Sequence, residues 1–231
     1  MSLLIPAVRF GELAGFFFGV PMTDGTLRVW VFIDAQNVYR DARRSFFQES
    51  DPSSFGQIDH AKLATLLTER GTAPPGKTRV LDECRVYVGI PSSVRDPLSN
   101  AARLRQNAAW EKSGAKVFGR PLQYPKDWPN RKEQEKGVDV ALAVDFVFNA
   151  ARKNFDVGIM VSTDTDLVPA LEAADNLHRA WGTPKVEVAS WKPSKKRLQV
   201  PGRPLWCHHL ERADYDLVKD ETRYATKPTK S

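Results

Sequence analysis

Cysteine is scarce in this sequence. There are two in 231 residues, Cys84 and Cys207, far apart and without CxxC spacing. That excludes a disulfide framework and a four-cysteine zinc site, and a reducing cytoplasm is the expected compartment. Histidine is almost as rare, with four. Cys207, His208 and His209 are adjacent, but neighbours on a strand point to opposite faces, and no second Cys/His pair stands at zinc-site spacing. No Ser–His or Cys–His arrangement suggests a covalent nucleophile. No apolar run approaches the ~18 residues that a membrane span needs, so no membrane partner is expected. The apolar patch from Ala14 to Val20 lies beside Glu12, and Arg9 alone supplies positive charge before it, which is a poor signal peptide. Residues 1–25 therefore read as an N-terminal extension, and a polar segment from Met22 leads into the first strand.

What is present is an ordinary globular composition, 42% hydrophobic and 27% charged, of a length that suits one α/β domain with a substantial core. Net charge is +6. A basic excess of that size is compatible with a polyanionic partner but does not define one. Short continuous apolar runs at Val29–Ile33, Arg85–Ile90, Ala115–Phe118, Val157–Val161 and Lys185–Ser190 read as buried parallel strands. Helical periodicity fills the intervals at 37–47, 59–70, 100–113, 138–152 and 167–179, whereas 121–134 lacks any period and reads as a loop. Strand and helix alternate, which predicts an α/β fold with a central, mainly parallel sheet covered on both faces. A further strand is expected near Leu205–His208, with the domain spanning 26–212 and a polar tail over 213–231.

Acidic residues fall at telling places on that framework. Asp34 follows one apolar strand, Asp164 follows another within Ser162-Thr163-Asp164-Thr165-Asp166, and Asp166 opens the next helix. Asp139 sits in the first turn of its helix on the face of Leu142, Ala143 and Phe146, so it should point inward. Ligands in open α/β sheets bind outside the carboxyl ends of the strands, and three segments deliver carboxylates to that rim. Carboxylates brought within ~4–6 Å raise one another's pKa unless a cation compensates. All-oxygen ligation suits Mg²⁺ or Mn²⁺, and such an ion supports metal-assisted hydrolysis of a phosphoester. Helix capping accounts for Asp164 or Asp166 taken singly, and the macrodipole favours Asp139. Capping does not account for Asp34 and Asp139 on apolar-facing positions at one rim.

The segment Gly71-Thr72-Ala73-Pro74-Pro75-Gly76-Lys77-Thr78 fits the phosphate-loop pattern GxxxxGK[ST]. A true phosphate loop follows a strand and opens a helix; this one is placed the other way round, and Pro75 removes an amide donor. Nucleotide binding there is not expected.

The segments VFIDAQNVY, KGVDVALAVD, VSTDTDLVPAL and VEVASW resemble the NYN domain, a branch of the PIN-like nucleases that includes the LabA-like proteins. The resemblance covers roughly Val29 to Leu210. It implies a PIN-like three-layer α/β/α fold and an endoribonuclease dependent on Mg²⁺ or Mn²⁺, with RNA, mostly single-stranded, as partner. By match, Asp34 and Asp164 would be core ligands, with Asp139 and Asp166 completing the set. Asn37 would hydrogen-bond ligands or substrate, Ser162 would orient Asp164, and Lys136 would meet a phosphate. Arg40, Arg43, Arg44, Arg131, Lys132, Lys192, Lys195, Lys196 and Arg197 could line an RNA path, with Trp128 and Trp191 offering rings to unpaired bases. A non-catalytic RNA-binding or regulatory module with the same fold is the alternative, and action on small phosphoesters a third. The sequence leaves open a homo-oligomer or a regulatory protein partner.

Overall fold

A computed structural model describes residues 25–225; the N-terminal extension up to residue 24 and the last six residues of the polar tail lie outside them. Six strands form one sheet in the order β3-β2-β1-β4-β5-β6, and every neighbouring pair is parallel. The strands are β1 (Thr26–Asp34), β2 (Thr78–Ile90), β3 (Ala115–Pro121), β4 (Val157–Val161), β5 (Lys185–Trp191) and β6 (Trp206–Leu210). Between and after them lie α1 (Ala35–Phe46), α2 (His60–Arg70), α3 (Pro97–Lys112), α4 (Val138–Ala151), α5 (Val168–Trp181) and α6 (Arg212–Val218). No helix among the described residues is long and apolar enough to cross a membrane.

The apolar runs are continuous because both faces of the sheet are covered. Along β1 the side chains alternate: Val29, Val31 and Ile33 enter one core with Val38, Leu63, Trp110 and Tyr215. Trp30 and Phe32 enter the other, with Leu142, Phe146 and Leu171. Helices α1, α2, α3 and α6 thus contribute to one layer, and α4 and α5 to the other. The three-layer expectation holds, and the sheet is parallel throughout its described strands.

The polar stretch expected from residue 213 begins instead with a helix. In α6 Tyr215 and Val218 are buried, and the Tyr215 hydroxyl accepts the Gly56 N–H at 2.9 Å. Arg70 pairs with Asp214 on the same helix.

The phosphate-loop pattern is placed as its context foretold, between the end of α2 at Arg70 and the start of β2 at Thr78. Its first glycine has a packing reason. A Cβ on Gly71 would lie 2.0 Å from Cζ of Arg79, and Arg79 is committed to Glu187 through paired bonds of 2.9 and 3.0 Å.

Candidate acid-lined active site

The strand order reverses between β1 and β4, since β1 continues to β2 on one side and β4 to β5 on the other. In open α/β sheets the crevice at such a switch point is where ligands bind. Asp34 ends β1 there, and Asp164 lies three residues beyond β4. The turn from β1 into α1 reads Asp34-Ala35-Gln36-Asn37, without the glycines that a dinucleotide's pyrophosphate requires.

Asp34 is 8% exposed and heavily tied. Its Oδ1 accepts the Asn37 N–H at 3.1 Å, which caps α1, and its Oδ2 accepts from the Ser162 hydroxyl at 3.3 Å. The same Ser162 oxygen accepts the Asp164 N–H at 3.1 Å. One hydroxyl therefore spaces the two strand-end acids. Asn37 Oδ1 accepts from both the N–H and the hydroxyl of Thr163, at 3.0 and 3.1 Å, so it clamps α1 to the loop carrying Asp164.

A cleft of about 570 Å³ opens over these groups, lined by Asp34, Glu135, Asp139 and Asp164 together with Arg40 and Lys132. Three segments contribute the carboxylates: the end of β1, the stretch that leads through Glu135 into α4, and the loop after β4. Asp139 reaches the cleft because Gly137 (φ +78°) turns the chain into α4, a left-handed conformation that favours glycine. Glu135 is not legible as a site residue from strand or helix spacing. It is held by the Gly89 N–H, which donates to its carboxylate at 2.8 Å, so its position is set by β2.

The acids feel one another. Burial pushes the Asp34 carboxyl up to about 6, and the charges of Glu135 and Asp164 push the same way, against the bonds from Asn37 and Ser162. Burial also raises Glu135, with Asp139 adding to the rise, while the Gly89 N–H, Arg40 and Arg103 oppose it. In the amide orientation that satisfies both neighbours, Gln36 donates to Glu135 and accepts from Arg40 at 2.9 Å. The protein has assembled mutually repelling carboxylates in a low-dielectric cleft, an arrangement that favours a cation or a shared proton. Among the described residues, no three His, Cys, Asp or Glu side chains are set to hold a metal ion as they stand.

Other expected residues are placed differently. Asp166 is exposed and outside the cleft lining; its N–H donates to Asp164 Oδ1 at 3.1 Å, so Asp164 is the cap and Asp166 the capped residue. Lys136 is exposed and does not line the cleft, whereas Lys132 does. Trp191 is no stacking platform: it is 2% exposed, and its indole N–H donates to the Val38 carbonyl at 3.1 Å. Arg43 is spent on the carbonyls of Pro52, Phe55 and Asp51, which hold the loop after α1. Trp128 remains half-buried at the surface, edge-on to Tyr124.

An all-parallel sheet flanked by helices, with acids at the carboxyl edge of its switch point, is consistent with a PIN-like domain. The NYN domain family matches residues 28–190, and the chain belongs to that family. Among solved structures it is similar to a protein of unknown function from Vibrio parahaemolyticus, at 20% identity and a TM-score of 0.47, covering 74% of this chain and 85% of that one. No curated protein matches it.

Proposed function

We propose that the chain is a Mg²⁺- or Mn²⁺-dependent endoribonuclease that hydrolyses phosphodiester bonds of mostly single-stranded RNA. The observation that carries this reading is the delivery of Asp34, Glu135, Asp139 and Asp164 from three segments to one cleft at the sheet's switch point. The donor set suits a hard divalent ion, being all carboxylate oxygen. Asp34 and Asp164 would hold it, with Asp139 and Glu135 next to them; Asp166 lies outside the cleft and would act, if at all, through Asp164. When bound, the ion would neutralise the acids' repulsion, polarise a phosphoryl oxygen and make water a better nucleophile.

The protein's own residues supply the rest. Ser162 and Asn37 fix the separation of Asp34 and Asp164 before any ligand arrives, so little reorganisation is left for the reaction. Arg40 and Lys132, on the cleft wall, would attract and orient the phosphate; Lys136, at the exposed approach, would meet the flanking strand. Charged lining of this kind also raises the local concentration of a polyanion.

One observation favours the alternative, a non-catalytic RNA-binding or regulatory module: the carboxylates do not form a closed cage as they stand. Titration calorimetry with Mn²⁺ decides between them. The nuclease reading expects saturable Mn²⁺ binding, and cleavage of labelled single-stranded RNA that EDTA abolishes. A protein that binds RNA, takes up no Mn²⁺ and leaves the RNA intact would establish the alternative.

A further inference from the structure

A second cavity adjoins the acid cleft, and the two share Gln36 and Arg40 as walls. We propose that it seats one unpaired nucleobase with a carbonyl where cytosine and adenine carry an exocyclic amine, that is uracil or guanine, from the strand whose phosphate lies in the acid cleft. This deepens the RNA reading above and rests on it.

The cavity lies between α1, the loop before α2, and α3. Its volume is about 240 Å³, below the ~300–1,000 Å³ of drug-sized ligand sites, which suits a fragment of base size. The half-buried Tyr39 gives it an aromatic surface, Ala35 and Ile58 make part of it apolar, and Trp110, 4% exposed beneath His60 and Arg103, closes its floor. Its walls are fixed in advance. The Tyr39 hydroxyl donates to the Ser53 carbonyl at 2.8 Å, Gly56 is tied to Tyr215, and Arg43 pins the same loop. His60 is 2% exposed, forms part of the wall, and has an unpaired Nδ1.

The polar groups are not a random set, because one hydrogen-bond chain fixes their sense. Arg103 donates to Gln106 Oε1 at 2.6 Å, and a guanidinium can only donate. Gln106 must then turn its amide nitrogen outward, and it donates to Gln57 Oε1 at 3.3 Å. Each glutamine oxygen thereby already accepts one bond along the wall. The Gln57 amide N–H groups, the remaining Arg103 N–H groups and Arg40 on this wall are all donors, and they outnumber the acceptors the wall retains, the second lone pairs of the two glutamine oxygens and a ring nitrogen of His60. Arg103 makes no salt bridge among the described residues, and the carboxylate whose charge reaches it is Glu135, across in the acid cleft. A donor-rich wall matches the edge on which uracil presents O4 and guanine O6 and N7, and penalises cytosine and adenine, which on that edge turn an exocyclic amine toward further donors. A bare phosphate would satisfy the guanidiniums but would leave the aromatic and apolar surface unused.

The test is binding of fluorescent ribohexamers to the full chain in EDTA, where affinity is read without cleavage. The expected order is repeating UG about tenfold tighter than repeating CA or an abasic hexamer. Gln57→Ala should erase that difference while leaving the melting temperature near wild type. Gln57→Glu should place an acceptor at the same point and move the preference toward CA, a change that misfolding cannot produce. Equal affinity for UG, CA and abasic hexamers would overturn the inference, as would a preference untouched by both Gln57 variants. The two readings fail separately. A protein that discriminates bases but cleaves nothing keeps this inference and loses the nuclease, and one that cleaves without discriminating does the reverse.

Discussion

The Gly89 N–H donates to the Glu135 carboxylate at 2.8 Å, and the absence of a Gly89 side chain is what lets that carboxylate approach β2. A Cβ there would lie 2.5 Å from Glu135 Oε1 and 2.4 Å from Leu122 Cδ2. Both atoms are ends of side chains that can move, so Gly89→Ala should cost only about 1 kcal/mol of stability, the low end of overpacking. It should nevertheless push Glu135 out of the acid cleft. The expected outcome is a near-native thermal melt with Mn²⁺ affinity and RNA cleavage reduced about tenfold or more, since ligand placement is sensitive to sub-ångström shifts. Native cleavage rates in Gly89→Ala would show that Glu135 does not serve the site.

Asp34 presents the opposite balance of stability and function. It is buried beside Glu135 and Asp164, and its carboxyl is pushed up to about 6. For an acid whose folded pKa is raised, the sign is unfavourable to stability. Below the unfolded value near 4 both states hold the proton and nothing is lost. As pH rises through about 6 the folded state must ionise a desolvated group, and the loss is complete above it. Asp34→Asn removes that penalty, on the order of 2–3 kcal/mol at pH 7 by proton linkage. In EDTA the variant should therefore melt above wild type, while losing Mn²⁺ binding and cleavage. A lower melt in EDTA would contradict the electrostatic account of the cleft.

These two residues mark what could and could not be read before folding. Asp34 and Asp164 were legible because each follows an apolar run, and a buried parallel strand delivers its next residue to the carboxyl edge. Asp139 was legible from the inward face of α4. Glu135 was not, for it lies in an aperiodic loop and is placed by a contact 46 residues away in sequence. Asp166 joins the acid set in sequence because a single residue separates it from Asp164, but the tight turn Thr165–Leu167 sends it to solvent. Trp191 and Arg43 resembled nucleic-acid contacts by composition alone, and their partners, Val38 and the loop carbonyls, appear only in three dimensions. The seven residues of α6 are too few and too charged to show a period; Tyr215 anchors them from the core.

His60 should make the fold acid-sensitive well above the carboxylate range. It stacks edge-on against Trp110 at 4.4 Å, and its pKa is lowered to about 3, by burial first and by the Arg103 charge second, with Asp220 opposing. Between the unfolded value near 6.5 and about 3, the unfolded chain binds a proton that the folded protein refuses, so stability falls as pH falls. The slope is about 1.4 kcal/mol per pH unit. Urea unfolding at pH 6.5 and pH 5 should differ by roughly 2 kcal/mol more in wild type than in His60→Leu. Parallel pH profiles for the two proteins would refute the assignment.

Glu187 carries the opposite sign and a lower window. It is fully buried on β5, where burial alone would raise its pKa. Bonds from His208 and Arg79, the Arg79 charge and a bond from Lys185 outweigh burial and hold the carboxyl at about 2. The stability this confers is complete above the unfolded value near 4.3, and is lost as pH falls through about 2. Arg79 is itself 3% exposed in its side chain, so Glu187→Gln leaves a cation buried without its charge partner, a change that costs about 3–5 kcal/mol. Replacing both partners, in Glu187→Leu with Arg79→Met, should recover most of that loss, because the desolvation cost disappears together with the attraction. Chemical denaturation of Glu187→Leu, Arg79→Met and the double variant measures the coupling. A double variant as unstable as the sum of the singles would mean that the two residues act independently, and would remove the buried ion pair as the reason Gly71 must lack a side chain.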